Sequence, residues 1–183
     1  MAVLLVLVGC VIALIALLVI GDRRAGGELR RPRSRHTMDP GTLIHERSTV
    51  EIVGTTASGV PTTVSPGSSP SPTLLVFLGS TCVTCRDLWR GASRAVRGAG
   101  PLRIVIVTKG SADESAALVA KHAHDPDLVV MSDSAWDAYG VAAAPAFVLV
   151  EGHGGAATRL VAAPTWREVL GAARATLTVR GVG

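Results

Sequence analysis

Apolar residues recur along this chain in three distinct patterns. Ala2–Ile20 is an unbroken, uncharged apolar run of nineteen residues, the length that crosses a bilayer core as a helix. Short continuous runs at Leu74–Leu78 and Leu102–Val107 have the form of strands buried on both faces of a sheet. Between them, Cys85, Leu88, Trp89, Ala92 and Val96 follow helical spacing and predict one buried face of a helix running to about Gly98. Arg86, Arg90, Arg94 and Arg97 fall on its opposite side. That row reads as a solvated helix face, with a docking surface for an acidic partner as the sharper alternative.

The remaining pattern extends the same alternation. Thr49–Val53 reads as a first strand, and Gly59–Thr73, rich in Ser, Pro, Thr and Gly, as a connection with little structure of its own. Ser111–His122 reads as a helix, with Ser111 and Glu114 spaced as a capping box. Leu128–Met131 is a short strand and Asp133–Tyr139 a short helix. Ala146–Val150 and Thr158–Val161 are strands joined by a glycine-rich hairpin turn at Glu151–Gly155. Thr165–Leu177 is a closing helix, with Thr165 as N-cap and Glu168 three residues on. No internal repeat is visible. Alternating strands and helices predict an α/β domain, and the late hairpin makes its sheet mixed.

Charge divides the chain further. The net charge of +4 is concentrated between Gly21 and His36, where six arginines face only Asp22 and Glu28. From Thr37 onward twelve basic residues balance twelve acidic ones, so the basic character belongs to a short segment. No basic patch with interleaved aromatics is present, and no nucleic-acid partner is expected. The organisation expected is a transmembrane anchor at 1–21, an Arg/Gly/Pro-rich flexible stalk at 22–42, and a folded domain at 43–180.

The apolar run lacks a basic n-region and an Ala-x-Ala site, which favours an uncleaved single-pass anchor over a signal peptide. Leu7-Val8-Gly9-Cys10 has the form of a lipoprotein cleavage box, but its apolar stretch continues past the cysteine. The arginines after the span would hold that flank in the cytoplasm by the positive-inside rule. The chemistry of the domain argues the opposite, because disulfides form and persist outside the membrane. An extracytoplasmic domain is the expectation.

That chemistry rests on Cys82-Val83-Thr84-Cys85, placed between the buried strand and the helix. Free N–H groups at a helix start favour the thiolate of the first cysteine. Half of a zinc site has the same spacing, so the pair alone leaves metal binding open. A second landmark is Pro145, which opens the apolar strand Ala146–Val150, a position where a sheet tolerates proline.

Taken together, strand, C-x-x-C, helix, and Tyr139-Gly140-Val141-Ala142-Ala143-Ala144-Pro145 before a hairpin and terminal helix resemble the thioredoxin superfamily. Phe77-Leu78-Gly79-Ser80-Thr81-Cys82-Val83-Thr84-Cys85-Arg86, the extra helix and strand at Ser111–Met131 and the anchor resemble its extracytoplasmic TlpA/MauD-like branch. The resemblance covers about Leu43 to Leu177. It implies a mixed sheet flanked by helices and a redox-active disulfide, Cys82–Cys85, with no other cofactor. Cys82 would be the exposed nucleophile and Cys85 the buried resolving thiol. The family's proline is cis and packs against the dithiol, which is the place of Pro145, and the backbone of Ala144 would pair with an extended substrate segment. Thr81, Val83 and Thr84 would complete the substrate-binding surface. Clients would be protein thiols and disulfides, with a membrane redox partner for recycling.

Departures from the family pattern stand beside it. Thr81 replaces the tryptophan of the reductive cytoplasmic members, Val83-Thr84 replaces their Gly-Pro, and Val76 occupies the place of their buried acidic residue. Two other readings compete. The cysteines could hold copper or zinc with His122, His124 or His153, or the domain could be a non-catalytic interaction module. Trp89, Trp136 and Tyr139 are expected in the core.

Overall fold

The structure is a computed structural model that describes residues 43–44, 50–123 and 129–181. All belong to one compact unit, Met38–Gly183. The proposed anchor at 2–20 and the stalk at 22–42 lie outside the described residues. Among the described residues no helix is long and apolar enough to cross a membrane.

In chain order the elements are β1 (Leu43–Ile44), β2 (Ile52–Thr55), β3 (Pro61–Val64), β4 (Thr73–Phe77), a single 3-10 turn (Val83–Cys85), α1 (Arg86–Gly98), β5 (Arg103–Thr108), α2 (Ala116–His122), β6 (Val129–Met131), α3 (Asp133–Ala138), β7 (Ala146–Val150), β8 (Ala157–Leu160) and α4 (Trp166–Val179). The strands form one mixed sheet in the order β1-β8-β7-β4-β5-β6-β2-β3. β4, β5 and β6 run parallel, and every other pairing is antiparallel.

β4 is central and buried at all five positions, which is why its sequence is continuously apolar. Its side chains alternate between two cores. Leu74 and Val76 pack with Leu88, Trp89 and Ala92 of α1 and Val169 of α4. Leu75 and Phe77 pack on the other face with Trp136 of α3, Tyr139 and Val141. The result is a mixed sheet between helices, as the strand–helix alternation predicts. Phe77 meets Trp136 edge-on, with centroids 5.5 Å apart and planes at 84°, the geometry that the ring quadrupoles favour.

On α1, Leu88, Trp89, Ala92 and Ala95 are buried, while Val96 is only half-buried. The four arginines of α1 are exposed. Gly91 sits where α4 begins, and a Cβ there would come within 2.6 Å of Trp166 Cδ1. The Trp166 indole is pinned by its own donation to Leu88 O at 2.7 Å. Glycine is therefore required mid-helix by close approach, against its poor propensity.

Several boundaries differ from the sequence expectation. β2 begins at Ile52, the one fully buried position among the described residues of the expected strand. The Gly59–Thr73 stretch, expected to have little structure of its own, contains β3, an edge strand that pairs with β2 from Pro61 to Val64. Its proline opens the strand, and only Val64 is buried. β8 begins at Ala157 and stops before Val161, which is 73% exposed. The helix expected from Ser111 starts at Ala116. Ser115 is its N-cap, accepting from Leu118 N at 3.4 Å, and Glu114 is directed elsewhere.

Tyr139 is completely buried, with its hydroxyl donating to Val50 O at 3.4 Å. Burial pushes its phenol up to about 12. The folded value exceeds the unfolded one of about 10, so its contribution is complete below pH ~10 and is lost as pH rises toward ~12, at about 1.4 kcal/mol per pH unit. Denaturant midpoints measured across that window should fall steeply in the native chain. Tyr139→Phe should remove this component of the slope and change neutral-pH stability little, because the bond it deletes is long.

Candidate active site

Past Phe77 the chain continues its pairing for one residue, with Leu78 N donating to Val107 O at 3.0 Å. It then turns through Gly79 and Ser80 into the cysteine pair. Trp89, one turn into α1, donates from Nε1 to Gly79 O at 3.1 Å while its ring is 98% buried in the core. The helix thus holds the loop that precedes it.

Cys82 and Cys85 are joined as a disulfide, with Cα atoms 5.2 Å apart. Cys82 stands at the N-cap of the 3-10 turn that leads directly into α1, and Cys85 N donates to Cys82 O at 3.1 Å. Cys85 is fully buried, and Cys82 is half-buried. Cys82 is therefore partly open to solvent at the positive end of a helix, and Cys85 backs onto the core. Thr84 Oγ1 lies 3.2 Å from Cys82 Sγ. Since a disulfide sulfur has no proton, the hydroxyl is the donor. Thr81, Val83 and Thr84 are all exposed around the pair.

The opposite wall comes from the segment before β7. The Ala144–Pro145 bond is cis, and both residues are half-buried. Cys82 Sγ lies 3.9 Å from Ala144 O. That segment is tied down at its start: Arg159 of β8 donates from Nη2 to Tyr139 O and Gly140 O at 3.0 and 2.7 Å, and Val141 N donates to Trp136 O at 2.8 Å. Cys82, Cys85, Thr84, Ala144 and Pro145 are thus brought to one end of the sheet.

With this geometry the relatives can be weighed. No family model matches the chain. It is 32% identical over 149 residues to the methylamine utilization protein MauD of Methylobacillus flagellatus, covering 80% of this chain and 72% of that relative. The chain belongs to the TlpA/MauD-like branch of the thioredoxin superfamily. Its fold matches that of a secreted Mycobacterium tuberculosis disulfide oxidoreductase homologous to DsbE of E. coli, with TM-score 0.55 and 22% identity over 71% of this chain and 98% of that one. The exposed lipoprotein thioredoxin of Streptococcus pneumoniae gives TM-score 0.54 and 16% identity, over 71% and 99% of the two chains. As a member of this branch the chain has a thioredoxin-like fold of the thiol–disulfide oxidoreductase type, with Cys82 and Cys85 as its cysteine pair.

Residues outside the motif also shape this thioredoxin-like site. Glu114, in the loop after β5, accepts from Ser80 N at 3.2 Å with each carboxylate oxygen and from Ser80 Oγ as well. A Cβ on Gly79 would come within 3.2 Å of Glu114 Oε1 and 3.3 Å of Cys82 Cβ, so glycine leaves room for both. The spacing of Ser111 and Glu114 hid this role, because it matches a cap. Val76, at the family's acidic position, is fully buried among apolar residues. Of the histidines weighed as metal ligands, His122 stacks on Trp89, with centroids 5.7 Å apart. His153 lies in the β7–β8 turn, where its N donates to Ser69 O at 3.1 Å, and His124 is outside the described residues. Among the described residues no three His, Cys, Asp or Glu side chains cluster as a metal site.

Thr84→Val keeps the side-chain shape and deletes the donor to Cys82. Its alkylation profile should move to higher pH, and exchange at neutral pH should slow by roughly 3- to 10-fold, equivalent to about 0.7–1.4 kcal/mol. Iodoacetamide rates on the reduced protein, measured across pH, check this.

Proposed function

We propose that the chain is a membrane-tethered oxidoreductase that exchanges disulfides with extracytoplasmic protein clients through Cys82 and Cys85. The observation that carries this reading is the half-buried Cys82, its sulfur 3.9 Å from the carbonyl that precedes a cis proline, with its partner Cys85 sealed in the core. Such a site presents one sulfur and a strip of backbone to an extended chain, and keeps the resolving sulfur from intercepting solutes.

In the oxidising direction a client thiolate attacks Cys82 Sγ. The Cys82–Cys85 bond breaks, its electron pair leaves on Cys85, and a mixed disulfide joins the client to Cys82. A second client thiolate then attacks the client's own sulfur in that bond and releases Cys82 as thiolate. The client gains a disulfide, and the protein takes two electrons. The reducing direction is the reverse: Cys82 thiolate opens the client disulfide, and Cys85 thiolate resolves the adduct. The helix start and Thr84 stabilise the Cys82 thiolate in both directions. The redox-active group is the cysteine pair itself, and a membrane redox partner would restore it after each turnover.

The anchor reading rests on the uncharged run at 2–20. Placement outside the membrane rests on the compartment in which disulfides persist, and it accords with the secreted and exposed character of two structural relatives.

Cys85→Ser should trap clients on Cys82 as mixed disulfides that dissolve on reduction, while Cys82→Ser should trap none. In the same cells, external protease should remove the folded domain without lysis. A correctly located Cys85→Ser variant that captures no client counts against exchange, and a domain protected until lysis counts against the orientation.

A further inference from the structure

The four exposed arginines of α1 are one half of a larger surface. α2 ends in Lys121 and His122, and the stacking of His122 on Trp89, with ring planes 24° apart, brings that end against the start of α1. Two depressions meet there. One, of about 360 Å³, is lined by Ser80, Thr81, Cys82, Arg86, Trp89 and His122. The other, of about 180 Å³, is lined by Arg86, Trp89, Arg90, Lys121 and His122. Arg86, Trp89 and His122 belong to both, so they form one groove that begins at Cys82 and ends at Lys121.

Its lining carries Arg86, Arg90 and Lys121 as charged groups, while the Glu114 carboxylate lies behind Ser80 at the Cys82 end, with both oxygens engaged by that residue. Asp87 stands at the margin and holds Arg90 Nη1 at 2.9 Å, as an exposed pair that solvent screens strongly. The groove wall is set rather than adaptable, because Trp89 is fixed by its bond to Gly79 O and His122 is stacked on it. Cys82 therefore has two different neighbours: the backbone carbonyl of Ala144 and the groove lined by cations.

We propose that this groove receives an acidic side chain of the client, placed within a few residues of the client's reacting cysteine. This rests on Cys82 being the exchange nucleophile. An extended chain advances about 3.3–3.6 Å per residue, so an Asp or Glu one to three positions from the client sulfur reaches the groove while that sulfur sits at Cys82. Cations here select acidic-flanked disulfides and speed their encounter, and both effects weaken as salt rises.

Two disulfide-bonded peptides, identical except that Asp and Glu flank the cysteine in one and Asn and Gln in the other, test this on the reduced full-length protein. The acidic peptide should react about tenfold faster at low ionic strength, the size of an encounter effect from a few charges. Most of that ratio should vanish at about 0.5 M salt, where the screening length drops well below the groove's dimensions. Arg90→Glu combined with Lys121→Glu should invert the preference. Equal rates for the twin peptides on the native chain overturn the groove while leaving exchange intact. A preference that survives the double reversal also overturns it, and failure of both peptides to exchange overturns the exchange reading beneath it.

Discussion

The antiparallel pairing of β4 with β7 is the constraint on which the site depends. Its register sets Thr73 opposite Val150 and Phe77 opposite Ala146. At the Phe77 end one strand leaves toward Cys82 while the other arrives from Ala144 and Pro145. Two segments 62 residues apart are thereby delivered to the same sheet end, where Cys82 Sγ and Ala144 O meet. A slip of one residue would turn one of the two strands over, sending either Phe77 or Phe147 into the opposite core, where the packed side chains leave no matching place for it. The register is thus enforced by hydrophobic burial far larger than any contact within the site itself.

The helices make that end usable. α1 inherits its direction from β4, so its free N–H groups point at the cysteine that precedes it. Trp89 closes the link by burying its ring under the sheet and returning a hydrogen bond to Gly79 O. α4 then locks α1 through Trp166, which reaches Leu88 O only because Gly91 carries no side chain. Each of these contacts joins residues of the core to the backbone that frames Cys82. The site's precision is therefore borrowed from packing.

Much of this was legible in the chain. β4 and β5 announce themselves because strands buried on both faces are continuously apolar, and α1 because its buried stripe keeps helical spacing. The cysteine pair and Pro145 were readable because their chemistry is confined to four and one positions of local sequence. β3 was not, since an edge strand with one buried residue, Val64, has almost no hydrophobic pattern to read. Ser111 and Glu114 misled for a related reason: the spacing fits a cap, but the cap is Ser115, and Glu114 is held by Ser80, 34 residues away. The convergence of Lys121 and His122 on α1 is likewise a tertiary event, carried by a single aromatic stack.

The exchange of an acidic residue for Val76 gains a physical meaning in this setting. A carboxylate beneath the sheet would need burial in the apolar cluster that Val76 now fills, at a large desolvation cost. Here the polar groups around the dithiol approach from the rim: the Thr84 hydroxyl, the Glu114 carboxylate through Ser80, and the cations of the groove. Rim groups remain in contact with solvent and with whatever docks beside Cys82. In the proposed exchange they would couple the reactivity of Cys82 to the client's own charges, whereas an acid in the place of Val76 would lie in the core with Cys85. Under the proposed exchange function, a thioredoxin-like site built this way would place its control at the mixed-disulfide surface and leave the core to hold the geometry.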